Sequence, residues 1–202
     1  MSAVDKTALR AKMRVLRDEL SARDPDADMA IADKFPLKLV ARYGPCVSAY
    51  WPIGSEIDPR ALITRLKNEG GADLCLPRVE EDGSMSFRAW APGNALIPGR
   101  FGLQEPPASA PRVMPTLVLT PLLAYDRHGN RLGYGKGHYD RALHALREAG
   151  RVFVCGLAFH GQEIDEVPAE PHDIPLDWIV TERGSIPIFM MRTFADRAAE
   201  PD

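Results

Sequence analysis

The sequence predicts an α/β fold, a single domain with a largely parallel central sheet flanked by helices. Short apolar runs rich in β-branched and aromatic residues recur along the chain: "CVSAYWPI", "ADLCLP", "TLVLTPLLAYD", "RVFVCGLAF" and "DWIVT". Segments with helical apolar spacing stand between most of them, the alternation expected of parallel strands joined by helical crossovers. A glycine-rich stretch also joins one such run directly to a helical pattern. With 202 residues, of which 45% are hydrophobic, the chain is long enough for one real core and short enough to be one domain spanning 1–202.

Each element has its own justification. Leu9, Met13, Leu16 and Leu20 recur at helical spacing and predict an amphipathic helix from Lys6 to about Leu20. Lys6, Arg10, Arg14 and Arg17 form a basic stripe beside that apolar one. A second helix is expected over roughly Ala27 to Arg42, with Pro36 as an interruption or kink, before a turn at Gly44 and Pro45. After the "CVSAYWPI" strand, Asp58 as N-cap and Pro59 at the first helical position open a helix that Gly70 and Gly71 stop. "ADLCLP" is the next strand, and "SMSFRAW" alternates as a half-exposed strand does. The proline-rich stretch from Ala91 to Pro115 lacks periodicity and reads as a long surface connection, a kind of segment that often serves function. In the helix after the glycines, Tyr139, Leu143 and Leu146 share a face and Gly150 closes the end. "SIPIFMM" is a candidate edge strand, and the last ten or so residues read as a frayed tail.

Composition excludes several classes. Lys and Arg number 25 against 28 Asp and Glu, a formal charge of -3 that argues against a phosphate-neutralising nucleic-acid surface. No run reaches the roughly 18 to 20 apolar residues of a membrane span. "MSAVDKTALR" has no apolar stretch of the secretory kind, so a cytoplasmic location is expected. Cys46, Cys75 and Cys155 lie far apart within apolar runs without metal-ligand spacing, and are expected to be buried, reduced and chemically silent.

The stretch "RLGYGKGHYDRAL", Arg131 to Leu143, carries the chemistry. Strand, glycine-rich turn and helix start in that order build an anion site, because helix N-terminal N–H groups are unpaired and glycines admit a close ligand. Lys136 adds positive charge. The stretch fits neither a Walker A loop nor a dinucleotide fingerprint, since Gly137 and His138 follow Lys136. A flexible turn and a phosphate loop both remain open on these residues alone. Asp140 reads either as a dipole-complementing residue or, beside phosphates, as a magnesium ligand that would want a second carboxylate, for which "HDIPLD" offers Asp173.

Taken together, "LLAYDRHGNRLGYGKGHYDRAL", "KTALRAKMRVLRDEL", "YWPIGSEIDPRALI", "GRFGLQEP" and "FHGQEIDEVPAEPHDIPLDWIVTE" resemble, in order, the motifs of the 5-formyltetrahydrofolate cyclo-ligase family. The resemblance implies a fold similar to that of CoA-transferase-like and sugar-phosphate enzymes. It implies ATP- and magnesium-dependent conversion of 5-formyltetrahydrofolate to 5,10-methenyltetrahydrofolate. ATP would be held by Lys6, Arg10 and the run Arg131, Leu132, Gly133, Tyr134, Gly135, Lys136, Gly137, His138 and Tyr139. Folate would contact Trp51, Glu56 and the Tyr134, Gly135, Lys136, Gly137 and His138 segment. Asp140 and Asp173 match the magnesium ligands, and the catalytic roles fall on Lys136, Tyr139 and Arg141. The implied partner is a reduced folate, with or without a polyglutamate tail, bound by a monomer with no nucleic-acid or membrane partner.

The bland reading holds for other groups. Arg14 and Arg17 are expected on a solvated helix face, and His160 and His172 as polar loop residues. Leu122, Tyr125, His138 and the Leu103-Gln104 pair depart from the family pattern, and His138 in place of tyrosine introduces a ring that titrates near neutrality. Two other readings stay open: a sugar-phosphate or coenzyme-A-handling enzyme of the same fold, and a nucleotide- or folate-binding protein without catalysis.

Overall fold

The computed structural model describes residues 5–190. Helix α1 (Lys6–Arg23) starts where the Asp5 carboxylate accepts the Thr7 N–H at 2.8 Å, an N-cap that satisfies one of the orphan donors of the first turn. Two helices, α2 (Ala27–Lys34) and α3 (Lys38–Tyr43), stand where one interrupted helix was expected. Pro36 lies between them, without an N–H to continue the ladder. Gly44 turns the chain at φ 124°, where a Cβ would collide with Thr116.

The strands follow. They are β1 (Cys46–Ser48), β2 (Asp73–Val79), β3 (Met85–Ala89), β4 (Ile97–Pro98), β5 (Gln104–Glu105) and β6 (Arg112–Val113). Then come β7 (Leu117–Pro121), β8 (Ala124–Tyr125), β9 (Arg131–Leu132), β10 (Phe153–Leu157), β11 (Trp178–Thr181) and β12 (Gly184–Ile186). Helix α4 (Arg60–Asn68) joins β1 to β2, and α5 (His138–Ala149) joins β9 to β10. Among the described residues the main sheet runs β12-β11-β10-β7-β1-β2-β3-β6. Its five central strands are parallel, and β12 at one edge and β3 and β6 at the other are antiparallel. The fold is thus the mixed α/β domain with a mostly parallel sheet that the sequence predicts.

Residue alternation sorts the core into two layers. Leu117 and Leu119 of β7, Phe153 and Cys155 of β10, and Trp178 and Val180 of β11 meet α2, α3 and α4 on one face. Val118, Val154 and Ile179, one position along each strand, meet Ala142, Leu143 and Leu146 of α5 on the other. Both faces being covered, these strands are continuous apolar runs in the sequence. Met13 of α1 packs instead on Leu123, Ala124, Leu132 and Val167, which lays α1 across the β8–β9 hairpin at the carboxyl end of the sheet.

Several local expectations change. Strand β1 ends at Ser48, and the rest of "CVSAYWPI" leaves the sheet at its carboxyl end, tied by the Tyr50 hydroxyl donating to the Ile57 carbonyl at 2.8 Å. Pro59, not Asp58, is the N-cap of α4, while Asp58 accepts the Arg60 N–H at 2.9 Å. The β3 strand is not half-exposed in alternation: Arg88 is buried, donating to the Ala108 and Ala110 carbonyls and to Glu80. The stretch from Ala91 to Pro115 covers it, and is a built element carrying β4, β5 and β6 rather than a plain surface connection. Its Glu105 is 2% exposed and accepts the Val79 N–H at 3.0 Å. Cys75 and Cys155 are buried as expected, whereas Cys46 is half-buried. Of "SIPIFMM" only Ser185 and Ile186 belong to the edge strand β12, the chain turning helical at Ile188 after Pro187, and the expected frayed tail lies outside the described residues.

Asp126 holds the segment that carries the glycines. Fully buried, it accepts the N–H groups of His128, Asn130 and Val167 and the Asn130 side-chain amide, all within 2.9 to 3.0 Å. Asp126→Ala strands these donors, so we expect a loss of about 3 kcal/mol or more of unfolding free energy, read by urea denaturation.

Candidate active site

The strand order reverses at β1, since the chain passes from β1 to β2 on one side and returns to β7 on the other. Ligands of open α/β sheets bind outside the carboxyl ends of the strands at such a switch point. A cavity of about 540 Å³ lies there, a size suited to a small-molecule ligand.

One wall is cationic and glycine-rich. Lys6, Arg10 and Arg14 of α1 face the loop Gly133–Gly137 across the cavity mouth. Arg10 Nε donates to the Gly133 carbonyl at 3.0 Å. Gly135 sits at φ 87°, and a Cβ there would lie 2.9 Å from the Arg10 guanidinium carbon. Gly137 at φ 64° is the N-cap of α5 and offers no side-chain cap, so the first N–H groups of that helix remain available to an anion. Lys136 lines the same wall. Glycine is required at both positions, by conformation and, at Gly135, by the arginine against it.

A second part of the lining is aromatic and acidic. Tyr50, Trp51, Ile53 and Glu56 follow β1 into the cavity. Glu56 is 7% exposed; its Oε2 accepts the Ile53 N–H at 2.9 Å and its Oε1 accepts the Tyr134 hydroxyl at 2.7 Å. Burial raises its pKa above the ordinary carboxylate value, opposed by the hydrogen bonds from Tyr134 and Ile53 and by the charge of Arg17. Burial raises the Tyr134, Tyr139 and Tyr50 phenols too, with the Glu56 charge adding to each, so all three stay protonated. Trp51 stands edge-on to Trp90, ring centroids 6.0 Å apart, with the Arg60 guanidinium 5.6 Å from its ring centroid. Pro77, Val79, Met85 and Leu103 complete an apolar side.

A third cluster sits beside the loop. Asp140 is ion-paired with Arg131, which also donates to the Ile174 carbonyl, and Asp140 accepts the Ile174 N–H at 3.3 Å. Burial lowers the Arg131 pKa from its ordinary value, and Asp140 and Asp173 oppose that. Asp173 lies 3.5 Å from Lys6 Nζ, which also pairs with Glu170 at 2.7 Å. Among the described residues no three His, Cys, Asp or Glu side chains converge as a metal cage. Two carboxylates on one cavity wall suit magnesium nonetheless, because that ion is usually held by one or two carboxylates, with phosphate oxygens and water completing its shell.

The structure brings together most residues singled out from the sequence: Lys6, Arg10, Trp51, Glu56, Arg131, Gly133–Asp140 and Asp173 all line this cavity. Leu132 does not, its side chain being buried against Met13. Arg141 lies exposed on the first turn of α5, with Nη2 3.3 Å from His138 Nδ1. Partial burial and then the Arg141 charge lower the His138 pKa from its ordinary value. Arg14 is exposed as expected, at the cavity lining, whereas Arg17 is 3% exposed beneath Tyr134. Their place in the basic stripe with Lys6 and Arg10 was the available signal. Glu170 also lines the cavity without having been singled out, as does Leu103, which the sequence marked only as a departure from the family pattern.

The comparisons with known proteins agree with this geometry. The sequence profile described as the 5-formyltetrahydrofolate cyclo-ligase family matches residues 2–182. The 5-formyltetrahydrofolate cyclo-ligase of Mycolicibacterium smegmatis is 37% identical over 200 residues, covering 92% of this chain and 98% of that protein. The Escherichia coli K12 enzyme of the same name is 28% identical, covering 83% and 96%. Among solved structures, the 5,10-methenyltetrahydrofolate synthetase of Aquifex aeolicus superposes with a TM-score of 0.72 at 28% identity, covering 91% of this chain and 92% of that one. The Mycoplasma pneumoniae synthetase gives 0.66 at 25% identity, covering 89% and 99%. A profile matched over most of the chain, together with a relative 37% identical along nearly its whole length, places this protein in the 5-formyltetrahydrofolate cyclo-ligase family.

Proposed function

We propose that this chain, working as a cytoplasmic monomer, uses ATP and magnesium to close 5-formyltetrahydrofolate to 5,10-methenyltetrahydrofolate, releasing ADP and phosphate. The observation that carries this reading is one cavity whose lining includes both a cationic glycine loop and a buried carboxylate among aromatics. The first end suits phosphate groups, and the second suits a flat heterocycle rich in N–H donors. Neither half alone would specify the reaction.

The chemistry explains why both ends are needed. A formamide oxygen is a poor leaving group, so ring closure requires it to leave as phosphate. The formyl oxygen attacks the terminal phosphoryl group, forming an O–P bond as the bond to ADP breaks. The neighbouring N10 then adds to the formyl carbon and loses its proton, and phosphate departs with the C–O bond pair to leave the methenyl bridge. Chain residues contribute positioning and charge complementarity, with no covalent protein nucleophile. The Gly133–Gly137 backbone and the α5 N-terminus would receive the phosphates, with Lys6, Arg10 and Lys136 balancing their charge. Glu56 would accept N–H donors of the pterin while Trp51 borders its ring. Magnesium, when held by Asp140 and Asp173, supplies further charge neutralisation. Tyr139, protonated and half-buried between the two ends, would exclude water there.

Lys136→Ala is expected to lower turnover about 100-fold or more with folate affinity retained, measured by the growth of methenyl-folate absorbance. Near wild-type turnover would exclude the role given to Lys136. Asp173→Asn is expected to raise the magnesium concentration for half-maximal rate about tenfold without changing the folate KM, as a magnesium titration at saturating ATP would read.

A further inference from the structure

Arg17 stands outside the cavity lining, directly behind Glu56. Its side chain is 4% exposed and that of Glu56 2%, with Nη1 3.8 Å from Glu56 Oε1. Nε donates to the Ser55 hydroxyl at 3.0 Å, and that hydroxyl donates in turn to Asp18. Nη1 is buried without a hydrogen-bond partner among the described residues. The guanidinium carbon also lies 5.5 Å from the centroid of the Tyr134 ring, and that of Arg14, three residues earlier on α1, lies 5.7 Å from it. One buried cation therefore touches both the acid of the aromatic wall and the tyrosine of the glycine loop.

Burying a guanidinium this deeply costs several kcal/mol unless a carboxylate compensates it, and stability alone gives weak reason for such a pair. We infer that Arg17 is a positioning residue for the folate end of the site: it holds the Glu56 carboxylate as an anionic acceptor and seats the Tyr134 ring that donates to it. The inference rests on the function proposed above. An ionised Glu56 presents only acceptor oxygens, which the amino and ring N–H donors of a pterin require, whereas a protonated one presents a competing O–H. The charged and titratable groups facing Glu56 are Arg17 from α1, Tyr50 from the segment after β1, Tyr134 from the glycine loop and Tyr139 from α5. Arg17 is the one cation in that set. Without it Glu56 protonates at higher pH, so the cost falls on folate and not on ATP.

The test compares wild type, Arg17→Met, Arg17→Lys and Ser55→Ala in kcat/KM for 5-formyltetrahydrofolate and for MgATP, from about pH 6 to about pH 9. For Arg17→Met the acid limb of the folate profile should move up by about one unit, a loss of roughly tenfold near neutrality that recovers to within about threefold at the alkaline end. The MgATP KM should stay within about twofold, and Arg17→Lys should restore most of the acid limb. If Arg17→Met does not fold, as judged by circular dichroism, Ser55→Ala decides: loosening the Nε anchor should raise the folate KM several-fold on the acid side alone. A uniform loss at all pH values, equal losses for both substrates, or unmoved profiles would overturn the role of Arg17. Wild-type protein that forms no methenyl-folate would instead overturn the proposed function, so the two failures are separable.

Discussion

Burial of the parallel sheet on both faces constrains everything else in this molecule. Leu117, Leu119, Val118 and Val154 and their neighbours are fully covered, by α2 to α4 on one side and α5 on the other. No strand face is left for a ligand. What remains is the carboxyl edge, and within it the point beside β1 where the order of strands reverses. Trp51 and Glu56, which leave the sheet there after β1, and the glycine loop, which follows the β8–β9 hairpin, have the cavity as their surroundings because the layers on either side are closed. Helix α1 is the exception to the layering. By packing Met13 on the β8–β9 hairpin rather than on a sheet face, it brings its basic stripe across the open edge.

That geometry sets up two electrostatic ends within one enclosure. At the glycine end the charges nearby are engaged with one another, Asp140 with Arg131 and Asp173 with Lys6. At the other end a carboxylate is buried against the preference of its own burial, held by the Tyr134 hydroxyl, the Ile53 amide and Arg17. Tyr134 belongs to the glycine loop yet bonds the acid of the opposite wall, so the two ends are joined by a single 2.7 Å hydrogen bond.

The parts of the site that were legible in the sequence are those whose physics is local. A loop that needs positive φ at Gly135 and Gly137 must spell glycine, and a helix start that faces anions needs no side-chain cap. Arg17 and Glu105 were not legible for the opposite reason. A basic stripe on an amphipathic helix is ordinarily solvated. Nothing within α1 says that the side of it carrying Arg17 will be covered by a tyrosine more than a hundred residues later. Nor does an aperiodic, proline-rich stretch announce that its one glutamate will be buried against the Val79 amide while Gly99 makes room for the carboxylate.

The sequence by itself determined the layered α/β architecture, because strands buried on two faces and helices buried on one leave different periodicities, and it determined where the glycine loop stands, because backbone conformation there restricts residue choice. Its ordered motifs also carried the family. Only the tertiary structure decided which cations serve the cavity and which hold its walls. Arg10 meets Gly133 across 123 positions of chain, and Tyr134 meets Glu56 across 78. The charge state of a buried group is set by neighbours brought together through such long-range contacts, and these arise from packing rather than from any local pattern.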